Sequence, residues 1–293
     1  MDLSIIILNY KQKGLVKQCI KGILAANPAL DYEIIVVDND SQDGCLEAVK
    51  ELFKARIEAP LSTPSLLKKL ESPLPPLVTI QSEQNGGFAN GNNLGIKKAQ
   101  GKYVMILNPD IAIVSSVLEK MVKFMEEYPQ VGIIGPKLIN PDGSIQDSCR
   151  RFPSWPIPIL RRTILGKLPS ARKRLDYYLM KDKTHHGNQT VDWLFGACLL
   201  IRKSVLDKIG LFDERFFMYF EDLDLCRRCW ENNFQVYYFS EVEVVHYHQR
   251  LSAEKSGVLG VFDKAGRIHL LSGMKYFAKY LGAKLPNRSL DKN

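Results

Sequence analysis

Two glycine signatures of nucleotide sites are missing from this chain of 293 residues. No G-x-G-x-x-G follows the first apolar run, and no G-x-x-x-x-G-K-[ST] occurs anywhere. That argues against a dinucleotide oxidoreductase and a P-loop NTPase. No apolar run approaches the roughly 20 residues that a membrane span needs. The first candidate strand begins by Ser4, leaving no room for a signal peptide, so a cytoplasmic protein, soluble or peripheral, is expected. Six cysteines include one C-x2-C, Cys226 and Cys229, but the second pair of a zinc site is absent and helix packing is the default. Acids are missing from Cys149 to Leu175, where Arg150, Arg151, Arg161, Arg162, Lys167, Arg172, Lys173 and Arg174 account for the whole net charge of +8. Such a stretch suits phosphates, anionic lipid or nucleic acid, with a solvated loop as the plain alternative. It carries no nucleic-acid recognition motif and its prolines spoil a groove-reading helix, so no nucleic-acid partner is expected.

What is present is enough apolar substance for a packed core: 45% of residues are apolar and 25% charged. "LSIIILNY", "YEIIVVDND", "LVTIQS" and "KYVMILN" are short runs of the kind that form buried strands. Between them, helices are expected from about Leu15 to Ala26, from Cys45 to about Phe53, and over "NLGIKKAQG", with Gly101 as its C-terminal cap. Another runs from Ser115 or Ser116 to Tyr128, and residues 57–76, with five prolines, read as a surface excursion. This alternation predicts an α/β fold, a mostly parallel central sheet with helices on both faces. Beyond Gly132 the pattern changes. "VGIIGPKLI" is strand-like, 150–190 reads as irregular, "VDWLFGACLLIR" as extended, and "KSVLDKIG" and "EDLDLCRRCW" as helices. "QVYYFSEVEVVHYH" reads as two short strands. Near the C-terminus, Leu271, Met274, Phe277, Ala278 and Leu281 follow helical spacing beside Lys275 and Lys279. With Trp155, Ile157, Ile159 and Leu160 in the basic stretch, that face predicts peripheral membrane contact, in competition with packing on the body.

Ligands of open α/β sheets sit outside the carboxyl ends of the strands. Here those ends carry Asn9 and Tyr10, then Asp38, Asn39 and Asp40, then a Gly/Asn loop, then Asn108 and Asp110. One polar end is ordinary turn chemistry; four in succession mark a site. Asp110 offers a carboxylate to Mg2+ or Mn2+, and His246 or His248 stands ready to complete the shell, although a histidine at a strand end is also a common structural residue.

The ordered set "SIIILNY", "IIVVDNDSQDG", "NGGFANGNNLGIKKAQGKYVMILNPD", "RRFPS", "VDWLFGACLLIRKSVLDKIGLFDERFFMYFEDLDLCRR" and "VVHYH" resembles the family 2 glycosyltransferases of GT-A fold, especially their bacterial rhamnosyltransferase-like branch. The resemblance covers residues 3 to about 250 and is specific as a set, though each piece is weak alone. It implies a Rossmann-like GT-A sheet with a smaller acceptor-side region and C-terminal helices. A donor half would span 1–130, an acceptor and catalytic half 131–250 with its basic loop at 149–190, and a helical extension 251–293. It implies a metal-dependent, inverting transfer of a sugar, L-rhamnose from dTDP-rhamnose being the leading reading and a UDP-sugar the other, to a hydroxyl of a cell-surface glycan precursor, lipid-linked in one version. Asp38, Gly87 and Asn93 match nucleotide-contacting positions, with Asn9, Tyr10 and Asn108 beside them on the donor side. Asp110 and His246 match the metal or phosphate contacts, and Asp222 the catalytic base. Asn108 stands where the family's D-x-D element has its first Asp. A non-catalytic nucleotide-sugar or glycan-binding module of the same fold is the alternative.

The residues also speak to the base directly. In a helix, Asp224 and Arg228 are four apart in the favourable order, so Asp224 has a structural partner. Asp222 has Leu225 and Cys226 at the corresponding positions, and Glu221 next to it opposes its ionisation. Three acids at a helix start are otherwise ordinary dipole chemistry. The aromatics Phe216, Phe217, Tyr219 and Phe220 read as core. Glu221 and Trp193 are acceptor-side candidates, Trp193 with simple packing as an equal alternative.

Overall fold

The computed structural model describes residues 1–58, 74–183, 187–247 and 264–286. Strands β1 (Leu3–Asn9), β2 (Tyr32–Asp38), β3 (Leu77–Gln81) and β4 (Tyr103–Leu107) pair in parallel in the order β3-β2-β1-β4. The isoleucines and valines of β1 and β2 are buried on both sides, as branched side chains between two layers of helix must be. Leu3, Ile5 and Ile7 join one core with helices α1 (Lys13–Ala26) and α2 (Cys45–Glu58). Ile6 joins a second core on the other face, under α3 (Gly87–Ile96). Asn9 stands opposite Asp38, and Asp38 opposite Gln81, so the strand ends reach one edge together.

The sheet then becomes mixed. Short β5 (Ile111–Ala112) and helix α4 (Val117–Glu127) lead to β6 (Val131–Ile139). β7 (Cys149–Arg150) pairs outside the main sheet with β9 (Trp193–Leu194). β8 (Gln189–Thr190) and β10 (Cys198–Arg202) follow, and β10 enters antiparallel between β4 and β6. β11 (Gln235–His246) runs parallel to β6 and carries β5 on its far edge, completing nine strands among the described residues.

Several local expectations change. The two strands read into "QVYYFSEVEVVHYH" are one, bent by a register shift between Phe239 and Glu243. Helix α3 starts within the Gly/Asn loop and ends at Ile96, so Gly101 does not cap it. Gly101 is glycine for space: a Cβ there would lie 2.6 Å from Ser4 N. The 150–190 stretch is largely helical. α5 (Pro156–Arg162), a 3₁₀ turn (Ile164–Lys167) and α6 (Pro169–Tyr178) each follow a break, and both helices begin on proline. Proline at the first turn starts a helix because its missing N–H would have no partner there anyway.

Helix α7 (Lys203–Ile209) follows β10, α8 (Glu221–Glu231) precedes β11, and α9 (Lys264–Lys279) packs on α5 and α8. The buried face of α9 is Gly266, His269, Ser272, Gly273 and Tyr276, while Leu271 and Met274 are about half exposed at 52% and 50%. Packing on the body is therefore real, but through the small-residue face rather than the Leu271/Met274 stripe. No helix among the described residues is long and apolar enough to cross a membrane. Most of the proline-rich 57–76 excursion, and His248, lie outside the described residues.

Candidate active site

The edge where β1, β2 and β3 end is closed by a polar lattice. Asn9 Nδ2 donates to Asp38 Oδ2 at 2.8 Å, to Ser41 Oγ at 3.0 Å and to Asp43 at 3.1 Å, while Asn9 Oδ1 accepts the Gln12 N–H. Asn9 is fully buried and braces the two loops on which a donor would rest. Asp38 Oδ1 accepts from Ser41 N–H and from Gln81 Nε2. A carboxylate has about four lone-pair sites, so Asp38 can take one further donor. Tyr10, 45% exposed, is open to solvent above this floor.

Helix α3 and the loop before α8 form the next wall. Gly87 has φ +85°, and a Cβ there would sit 2.0 Å from the carbonyl oxygen of Phe217, which accepts the Phe88 N–H at 2.7 Å. Only glycine permits both the left-handed backbone and that approach. Asn93 is buried and spent: Nδ2 donates to Phe212 O and Glu214 Oε1, and Oδ1 accepts the Phe212 N–H. It too acts as a brace here, between α3 and the loop before α8. Asn39 adds a third, donating to Asn85 Oδ1 and Gly87 O.

The loop itself is strained. Tyr219 and Phe220 adopt φ +70° and +71° in succession, each costing about 1–3 kcal/mol for a non-glycine residue. Ser272 Oγ on α9 holds Met218 O at 2.9 Å, and the Phe220 ring meets Gly273 and His269. Phe216 and Phe220 are core, as expected, whereas Phe217 is 37% exposed.

This loop delivers the three acids of α8 to three different environments. Asp224 is fully buried and takes Arg228 Nε at 2.8 Å, Lys279 Nζ at 2.5 Å and Tyr280 Oη at 2.8 Å. It is the structural acid that the helical spacing predicts. Asp222 meets no cation at salt-bridge distance among the described residues; its carboxylate accepts the Gly196 N–H at 2.9 Å and the Leu223 N–H at 2.8 Å, and it keeps a partly exposed edge. Desolvation raises its pKa; the two N–H donors and the nearby Arg150 charge partly offset this. Glu221 is 5% exposed, its Oε2 has no hydrogen-bond partner, and burial, then the Asp222 charge, hold its carboxyl well above the usual range. Burial is the leading cause of the rise in both carboxyls, ahead of the push expected between Glu221 and Asp222. A carboxyl as deep as that of Glu221 offers an acceptor little surface to touch.

Asp110 and His246 do come together, because β5 pairs with the end of β11. His246 Nε2 lies 3.4 Å from Asp110 Oδ2 and its Nδ1 is 2.8 Å from Gln146 Oε1. Gln146 is oriented by its own amide, which donates to Asn140 Oδ1 and to the His246 carbonyl. Its Oε1 therefore faces Nδ1 as an acceptor, so Nδ1 carries the proton and a neutral ring turns the Nε2 lone pair towards Asp110. Asp110 Oδ1 is buried without a hydrogen-bond partner. When the ring is neutral, two acceptors face each other beside an orphaned carboxylate oxygen, a set that fits a divalent cation and suits Mn2+ better than Mg2+. A second cluster, Asp38, Asp43 and Cys45, has ligand atoms within 4.8 Å of one another. It fits poorly: burial pushes the Cys45 thiol up to about 12, and both carboxylates are already engaged by N–H donors. Asn108, partly buried, donates its backbone N–H to Ala197 O, next to the Gly196 N–H that holds Asp222. One turn of backbone thus joins the Asp110 end of the site to the Asp222 end.

Trp193 is 6% exposed, donates its indole N–H to Arg151 O and lies among Tyr178 and Phe195. Packing accounts for its position, the plainer of the two readings expected for it. Its neighbour Arg150 was not singled out as a site residue. It is 5% exposed, sits 4.1 Å over the Phe195 ring, and burial pushes its pKa down to about 10. Its sequence signals are the "RRFPS" motif and its place at the start of the acid-free basic stretch. Gln146 gave no signal, being 100 residues from the histidine it orients.

The family model for glycosyl transferase family 2 matches residues 4–210, and the chain belongs to that family. It is 31% identical over 148 residues, half of this chain and 47% of the other, to the N-acetylglucosaminyl-diphospho-decaprenol L-rhamnosyltransferase of Mycobacterium tuberculosis. It is 27% identical to the rhamnosyltransferase WbbL of Escherichia coli, covering 70% of this chain and 75% of that one. The chain thus spans about half the length of the mycobacterial relative. Its fold is shared with S. aureus TarS (TM-score 0.54, 17% identity, 84% of this chain and 60% of that one). It is shared too with GalNAc-T7, solved with UDP, GalNAc and Mn2+ (TM-score 0.58, 15% identity, 85% and 44%).

Proposed function

We propose that this protein is an inverting glycosyltransferase with Asp222 as its general base. The observation that carries the reading is the contrast within one helix turn. Asp224 is neutralised by two cations, while Asp222 is fixed by two backbone N–H groups, meets no cation at salt-bridge distance among the described residues, is raised in pKa and keeps a partly exposed edge. In a single displacement, the acceptor oxygen bonds to the anomeric carbon as the bond to the nucleoside diphosphate breaks. The acceptor proton passes to the Asp222 carboxylate.

Residues 1–130 would hold the nucleotide over the braced floor near Tyr10 and Asp38. Residues 131–250 would present the acceptor, with 251–293 as a helical extension. Asp110 and His246 would hold Mn2+ or Mg2+, which when bound neutralises the leaving diphosphate. The names of two relatives favour rhamnose as the sugar, dTDP-rhamnose is the donor that the sequence resemblance implies, and the UDP in the GalNAc-T7 structure makes a UDP-sugar the other choice. The name of the mycobacterial relative supports a lipid-linked saccharide acceptor, met on the cytoplasmic side of the membrane.

A panel of nucleotide sugars, read by thermal shift and by donor hydrolysis with and without chelator, tests this. One donor is expected to bind and to be hydrolysed slowly, with divalent ions required. Binding without hydrolysis or transfer would leave a binding module. Full activity in excess chelator would remove the metal from the reading.

A further inference from the structure

Among the described residues, sixteen large apolar side chains are clearly exposed, and ten of them fall in two segments, 155–177 and 271–285. The segments meet in space: the Trp155 ring stands edge-on to Phe277 at 5.2 Å, and α5 packs on α9. On the first, Trp155 and Ile159 share one side of α5, and Ile164, Leu165 and Leu168 follow at 57%, 48% and 53% exposure. On the second, Leu271 and Met274 lie on the side of α9 away from its buried small-residue face. Around them Arg161, Lys167, Arg172, Lys173 and Arg174 are exposed, and none forms an ion pair with a described residue. Lys173 and Arg174 also border an open cleft of about 460 Å³ with Phe152, Ser154 and Tyr177.

We infer that the joined surface of the 155–177 segment and α9 docks on an anionic lipid bilayer. Apolar side chains standing out among unpaired cations are what an interfacial surface needs: the rings and aliphatic groups enter the acyl boundary while the cations meet lipid phosphates. The charge decides against a second copy of the chain, since an isologous contact would set the two cationic rims against each other. The far side of α9 holds the loop that carries Asp222 through Ser272 to Met218 O, and Lys275, beside Leu271, reaches Arg215 O of the same loop. A docked bilayer would therefore lie next to the acceptor side. That last link rests on the proposed function; the docking itself does not.

The test is flotation of the full chain with phosphatidylcholine vesicles carrying increasing phosphatidylglycerol, at low and high salt, with no donor present. Binding is expected to rise with anionic content and fall with salt. Arg172→Gln/Lys173→Gln/Arg174→Gln should weaken it about a hundredfold, at about fivefold per charge. Leu271→Ser/Met274→Ser should weaken the binding that survives high salt. All five side chains are exposed, and melting curves matching wild type check that both variants are folded. No flotation at low salt with strongly anionic vesicles overturns the inference. So does equal binding by wild type and both variants, or a dimer in sedimentation velocity that Leu271→Ser/Met274→Ser dissolves. Because no nucleotide sugar enters the assay, its failure would leave the transferase reading standing.

Discussion

The two ends of the site treat their polar groups differently. On the donor floor, Asn9, Asp38, Asn39 and Asn93 answer one another or nearby backbone, and Asn92 Oδ1 is the exception. Around the proposed base, Asp110 Oδ1, Ser148 Oγ, Arg150 Nε and Glu221 Oε2 are buried without hydrogen-bond partners. Leaving such an atom unmet costs about 1–3 kcal/mol, more for a charged group. A fold under selection for stability alone has every reason to fill those positions with apolar side chains. On the proposed reading, the floor is shaped in advance for a ligand that rests on it, and the other end holds groups whose use is chemical.

The sharpest way to break this contrast is Asp222→Asn. With the fold and donor binding kept, transfer should fall by about 10²–10⁴-fold, the usual worth of a general base. In the wild type, the acid limb of kcat/KM should lie above the ordinary Asp value of about 3.9, because burial raises Asp222 and only its ionised form accepts a proton. Near-normal turnover in the variant would remove the assignment.

Asp224→Asn tests the other side. It leaves Arg228 and Lys279 without their buried carboxylate, so urea denaturation should report a loss of about 3 kcal/mol, while the folded fraction keeps most of its turnover. Stability kept with turnover lost would exchange the roles of the two acids.

Gln146→Ala is the finer probe. Removing the group that fixes the His246 tautomer should weaken divalent-ion affinity by about 10–100-fold, read by titrating Mn2+ against its paramagnetic signal. Unchanged affinity would leave His246 a structural residue.

How much of this was legible depended on the range of the interaction. The first four strands could be read because branched residues buried on two faces leave continuous apolar runs, and the Asp224–Arg228 pair because it lies within one helix. Proline misled at 156 and 169, where it begins helices instead of breaking them. The buried face of α9 was hidden because glycine and serine, at 266, 272 and 273, allow close packing without looking apolar. The space that Gly87 yields goes to Phe217, 130 residues away. Nothing local in a sequence encodes such a contact.

The latch between α9 and α8 also has a consequence in time. Asp224 is buried against Lys279, which follows it by 55 residues. At a synthesis rate of about 5–20 residues per second, roughly 3–11 s separate the two. Through that interval the acid has only Arg228 for a counter-charge, and the loop bearing Tyr219 and Phe220 has no Ser272 to hold it. The parallel strands at the start of the chain can be complete while the turn that presents the base is still unset, so the ribosome assembles the floor before the chemistry.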